Sequence, residues 1–172
     1  LDNLILTGEI RTANKEMYLK NCYIENLMVG DCDYGLVTFY NCVIGNLKIV
    51  NSKIQQWNFI YCFTSGDIIN SELIRVNIVG GQFTASIRDS KLFEVEADKG
   101  LSENNFSECY KILKSAYSQQ GDDSKSKDYY IKEKDYERFT IIKTYKANLS
   151  ELLLMYRRSE FKFRNLLPLT FG

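Results

Sequence analysis

The chain has 172 residues, with 22 Lys and Arg balancing 22 Asp and Glu, so nothing in its net charge argues for nucleic acid or an acidic partner. It contains no histidine, which excludes a histidine-based triad, general base or metal site. No run of eighteen apolar residues occurs, so no segment reads as a membrane span.

Residues 1–16 hold ragged apolar positions (Leu4, Leu6, Ile10) and then a polar stretch from Arg11 to Glu16. They read as an atypical terminal repeat, one side of which meets water. The chain opens at Leu1 in mid-pattern and is expected to be a segment of a longer protein.

Met17 and Leu19 bring a strict period into register, and from Cys22 a pair of inward positions recurs every five residues. The first site reads Cys22, Leu27, Cys32, Val37, Cys42, Leu47, Ser52, Trp57, Cys62. The second, two residues on, reads Ile24, Val29, Tyr34, Phe39, Ile44, Ile49, Ile54, Phe59, Thr64. After Thr64 the spacing shortens by one residue, then recovers through Gly66 and Ile68, Ser71 and Leu73, Val76 and Ile78, and Gly81 and Phe83. A second shortening precedes Ala85 and Ile87, 19 residues after the first, and the pattern closes with Ser90 and Leu92, then Val95 and Ala97.

A period of five fits neither a helix nor a flat strand; it fits a chain that turns a corner every five residues. The first site alternates small and large, so opposite faces of a four-sided coil share a character, and both shortenings fall at one corner. Asn21, Asp31, Asn41, Asn51, Asn70, Gly80 and Asp89 stand just before small first sites, where a corner needs residues that tolerate a left-handed backbone. The cysteines at the first site act as compact apolar fillers, expected as reduced thiols in a cytoplasmic protein; Cys109 falls in a predicted helix.

The run from Cys22 to Ala97 resembles the pentapeptide-repeat proteins, with Cys and Ser where Ala is commonest in that family. The resemblance implies a right-handed quadrilateral parallel β-helix, here of about four coils over residues 1–97. Residues 98–172 form a second part, a C-terminal α-helical hairpin.

Residues between the two inward sites point outward and stack from coil to coil. One face shows Tyr23, Val43, Phe63 and Gln82, with Tyr40, Ile60 and Val79 at the adjoining corner. The next shows Met28, Lys48, Asp67 and Ser86; the third, Asp33, Lys53, Glu72 and Lys91; the fourth, Tyr18, Thr38, Asn58 and Asn77. The side of Tyr23, Val43 and Phe63 is the apolar one, expected to be covered by the C-terminal helices, a second copy, or another protein.

Asn105 and Glu108 read as a capping box, followed by Phe106, Tyr110, Leu113 and Tyr117 at helical spacing. Gly121-Asp122 ends that helix, and Asp122 or Asp123 starts a second one, from about Ser124 to at least Tyr156. Ile142, Tyr145, Leu149, Leu152 and Tyr156 form a three-four stripe along it, a packing seam against the column, the first helix or another copy.

The segment from Tyr110 to Asp122 with Tyr129-Tyr130 and Glu133 is similar to a helical hairpin, in the style of a tetratricopeptide unit, found after repeats in some bacterial pentapeptide-repeat proteins. Ser126 stands where that pattern has Ala, and Lys134 where it has Met. The resemblance extends to proteins whose hairpin leads to membrane helices. The tail with Arg157, Arg158, Lys162 and Arg164 would suit the cytoplasmic face of an inner membrane, reached through a region beyond this segment.

No catalytic, metal or cofactor site emerges. Gly80-Gly81 lacks the Lys and Ser/Thr of a phosphate loop, and Asp122-Asp123 lacks the rest of a calcium loop. The expected function is a non-enzymatic protein-interaction or scaffold module, with a protein partner or self-association and no nucleic acid. Two alternatives are a DNA-mimicking topoisomerase regulator, as some pentapeptide-repeat proteins are, and anionic-lipid binding through the tail.

Overall fold

Every five residues the chain bends, and the bends wind it into a parallel β-solenoid of about four turns followed by two helices. The structure, a computed structural model, describes residues 5–6, 17–31, 33–100 and 106–165, the side chains of 5, 6, 34, 152, 153 and 155–165 excepted. Thus Cys32, Asn105, most of the expected terminal repeat, and the side chains of Arg157, Arg158, Lys162 and Arg164 lie outside the described residues.

The strands are β1 (Ile5–Leu6), β2 (Met17–Lys20), β3 (Tyr23–Gly30), β4 (Asp33–Tyr34) and β5 (Val37–Tyr40), then β6 (Val43–Val50), β7 (Lys53–Gln55) and β8 (Trp57–Ile60). The column continues with β9 (Phe63–Ile69), β10 (Glu72–Ile74), β11 (Asn77–Val79), β12 (Gln82–Phe83), β13 (Ser86–Arg88), β14 (Lys91–Phe93) and β15 (Glu96–Asp98). Three parallel sheets result. One runs β1-β3-β6-β9-β12 with β13 also on β9, one β14-β10-β7-β4, and one β15-β11-β8-β5-β2. Strands β3, β6 and β9 pass through one corner, so the first sheet covers two faces, with a register shift between Ile44 and Leu47.

The stacking expected of outward residues is the observed register. Tyr23 pairs Val43, Val43 pairs Phe63 and Phe63 pairs Gln82. Asp33, Lys53, Glu72 and Lys91 align on the third face, and Tyr18, Thr38, Asn58 and Asn77 on the fourth. Partners are 20 residues apart in the early coils and 19 later, and the change falls at the expected corner, where Leu47 meets Gly66.

Inward, the ladder is closed. Ile24, Ile44, Leu47, Ile49, Ile54, Phe39, Trp57 and Phe59 are buried. Phe39 stacks on Phe59 with ring centres 5.2 Å apart, and Phe59 meets Phe83 edge-on at 5.6 Å. Each such side chain contributes ~1.5–3 kcal/mol before entropy opposes it. Cys22, Cys42 and Cys62 are buried at the small site, as expected of fillers. The Cys62 thiol is pushed up in pKa by its stacked neighbour Cys42 and by burial, so it stays protonated.

All seven corner residues expected to tolerate a left-handed backbone have positive φ, between 48° at Asn70 and 63° at Gly80. Their side chains also bond between coils: Asn41 Nδ2 donates to Asn21 Oδ1 at 2.7 Å, and Asn70 Nδ2 to Asn51 Oδ1 at 2.8 Å. Gln56, Tyr61, Arg75 and Glu94 adopt the same conformation without the usual residue type.

Helix α1 (Ser107–Gln120) starts one residue later than the capping-box reading puts it. The cap position is Phe106, which offers no side-chain bond. Gly121, at φ 82°, ends the helix in a left-handed turn. Asp122 Oδ1 then accepts from Lys125 N at 3.0 Å and opens α2 (Asp123–Asn165). The two helices pack together. Tyr117 stacks on Tyr129 with ring centres 5.7 Å apart, and Lys114 Nζ bonds the buried Glu133 carboxylate at 2.6 Å. Tyr129 is buried, whereas Tyr130 is half exposed, with Lys114 Nζ 5.6 Å from its ring centre.

The chain divides into compact units after Glu133. The physical reason is that α1 is bonded to the last coil. Gln120 Oε1 accepts from Leu92 N at 2.8 Å and Gln120 Nε2 donates to Leu92 O at 3.2 Å. Tyr117 OH accepts from Val95 N, and the hydroxyls of Tyr117 and Tyr129 reach Val95 O at 3.2 and 2.9 Å. Helix side chains thus replace the strand a further coil would supply.

Candidate interaction surface

On an alternating strand the residue between two buried positions must face water, and this builds the apolar stripe. Ile24, Ile44, Thr64 and Phe83 are buried, so their neighbours Tyr23, Val43, Phe63 and Gln82 project outward in register. Tyr23, Val43 and Phe63 remain 49%, 39% and 43% exposed. Helix α1 does not cover them as expected. It lies against β12, β13 and β14, because unmet backbone groups at the end of the column draw it there.

Beside the stripe runs a shallow groove of about 200 Å³, lined by Val43, Gly45, Phe63, Ser65, Gln82 and Thr84. Its floor is polar backbone that already has partners: the Ser65 hydroxyl donates to Gly45 O, and Thr84 Oγ1 to Thr64 O at 3.3 Å. The Thr64 hydroxyl, buried at a large apolar site, has no hydrogen-bond partner.

Tyr40, Ile60 and Val79 line up at the neighbouring corner and are half-buried. Tyr61 joins them, its ring edge-on to Tyr40 with centres 6.2 Å apart. A Cβ on Gly80 would sit 2.5 Å from the Tyr61 ring, so glycine there keeps the ring seated. Sequence reasoning passed over Tyr61, since a corner position carries no inward or outward signature. The one available signal was Gly80, 19 residues on, directly above it.

The other faces carry charge pairs. On the third face, the Lys91 and Glu72 charges are 3.9 Å apart and largely in water, a contact of little energetic weight. On the second, Asp67 accepts from Ser86 and from Arg88, whose Nη2 is 2.9 Å away, and these contacts hold its carboxyl below the ordinary range. Among the described residues, no group of three Cys, Asp or Glu is placed to hold a metal ion, and no helix is long and apolar enough to cross a membrane.

No family model, curated protein or solved structure matches this chain.

Proposed function

We propose that the chain is a non-enzymatic interaction module of pentapeptide-repeat type, which presents the Tyr23, Val43 and Phe63 face to a protein partner. The observation that carries this reading is the exposure of three large apolar side chains in register on one sheet, beside a shallow groove. Monomeric surfaces scatter such residues singly; a contiguous row marks a contact site. The sheet presents the row without loss of conformational freedom, which favours binding. Buried thiols at Cys42, Cys62 and Cys109 support a reducing, cytoplasmic setting.

The alternatives lack a comparable observation. A DNA mimic needs a dense negative face, whereas Asp33, Lys53, Glu72 and Lys91 alternate in sign. The basic tail that would meet an anionic lipid surface lies outside the described side chains.

The test compares the whole chain with a Tyr23→Glu, Val43→Glu, Phe63→Glu variant as baits, after confirming equal melting midpoints. Proteins held by the native face and released by the variant support the reading. Identical captured sets from both baits sink it.

A further inference from the structure

We propose that the stacked thiols of Cys22, Cys42 and Cys62 bind a soft d10 ion of the Cu(I) class, held in line between Cys42 and one neighbour. This goes beyond the stripe reading and does not rest on it.

The register makes the row. Lys20, Tyr40 and Ile60 pair on one side of the corner, and Tyr23, Val43 and Phe63 on the other. Val43 N donates to Cys22 O and Phe63 N to Cys42 O, each at 2.9 Å. The three side chains also take one orientation. Their Sγ atoms lie 3.3, 3.4 and 3.4 Å from the carbonyl two residues back, at Lys20, Tyr40 and Ile60. Those of Cys42 and Cys62 reach the coil below as well, 3.5 Å from Leu19 O and 3.4 Å from Phe39 O. Equal orientation in stacked coils puts successive sulfurs one coil apart, about 4.8 Å.

That spacing decides the chemistry. A disulfide needs Cβ atoms about 3.5–4.5 Å apart, whereas stacked Cβ atoms share the wider coil spacing. A thiolate binds a d10 ion at about 2.3 Å, so two on opposite sides of it span about 4.6 Å. Thiolates select soft ions such as Cu(I). Zinc takes four ligands, but a row offers an ion two sulfurs at a time, and burial of all three residues keeps water from adding more. On binding, two thiol protons leave to water, two metal–sulfur bonds form, and the ion keeps its oxidation state.

Packing alone does not call for sulfur. On the opposite row of small sites, the hydroxyls of Ser52, Ser71 and Ser90 donate to the carbonyl two residues back at 2.8, 2.8 and 2.7 Å. Serine makes the same local contact in the same column, so it can replace a cysteine of the row as a probe.

The whole chain, refolded from urea with Cu(I) in the absence of air and then challenged with bathocuproine disulfonate, tests this. Equal melting midpoints of the metal-free forms serve as the folding control. The native chain is expected to keep one copper with two sulfur neighbours, read by X-ray absorption. Cys42→Ser leaves Cys22 and Cys62 two coils apart, about 9.6 Å, and loses the copper. Cys22→Ser and Cys62→Ser each retain an adjacent pair and keep it, as does a Cys32→Ser, Cys109→Ser variant. A native chain without copper overturns the proposal, as do three or four sulfur neighbours or loss of copper from the Cys32→Ser, Cys109→Ser variant. Equal retention by Cys22→Ser and Cys42→Ser overturns it too, since copper would then follow the number of thiols and not their row.

Discussion

Gly66 shows how little room a coil leaves at the corner where the repeat contracts. Its φ is 133°, outside the reach of ordinary side chains, and a Cβ there would lie 2.0 Å from Leu47 O in the coil below. Neither the strain nor the clash can be relieved by a rotamer, because the obstacle is backbone. Gly66→Ala is expected to cost about 2–4 kcal/mol, read as a lower denaturation midpoint with the same slope. An unchanged midpoint would mean that the corner relaxes. At this scale the sequence was legible wherever residue type and conformation agree, as at Asn21, Asn41 and Asn70. It was silent at Gln56, Tyr61, Arg75 and Glu94, where a left-handed backbone costing ~1–2 kcal/mol is imposed by the coils above and below. There the stacked register outweighs local preference, and local preference is all that a residue displays.

The last coil and α1 illustrate the same limit for whole elements. The apolar spacing of Phe106, Tyr110, Leu113 and Tyr117 marks a buried helix face but does not say against what it is buried. The seat was decided by the N–H and C=O groups of Leu92 and Val95, which no residue pattern records. Their partners are Gln120 and Tyr117, so removing either should free the edge of the column. Gln120→Ala and Tyr117→Phe are expected to cost about 1–3 kcal/mol each and to speed amide exchange at Leu92 and Val95 respectively. Unchanged exchange at both would show that water or neighbouring strands satisfy these groups. Burial pushes the phenols of Tyr117 and Tyr129 up in pKa. Both therefore stay neutral in the fold while the unfolded chain ionises above ~10. The unfolded state then binds fewer protons, so stability is whole below that pH and falls as pH rises past it. Tyr117→Phe should flatten this alkaline decline, measured as the melting midpoint against pH.

For the molecule as a whole, the column and its cap form one unit that ends at Glu133, where the carboxylate meets Lys114. A chain ending at Glu137 should therefore keep the column's melting midpoint. A large drop would place part of the column's stability in the distal helix. The architecture was legible here because a repeat states its rule many times over, and the successive 19-residue steps from Lys53 to Glu72 and from Glu72 to Lys91 confirm each other. The exposed stripe was legible as a row of outward residues. Its flanking groove was not, since it arises from small residues, Gly45 and Ser65, that leave space without announcing it.

The stacked register also constrains how such a gene can change. Every coil reads the one beneath it through partners 20 residues apart, or 19 after the corner at Gly66 tightens. One added codon inside a face would turn the following inward residues outward and misalign the asparagine rungs above. Viable length changes therefore come as whole coils, with α1 closing whichever coil is last. The single-residue contraction is tolerated because it falls between faces, and Gly66, with no side chain to misplace, is what lets the helix of strands skip a count there.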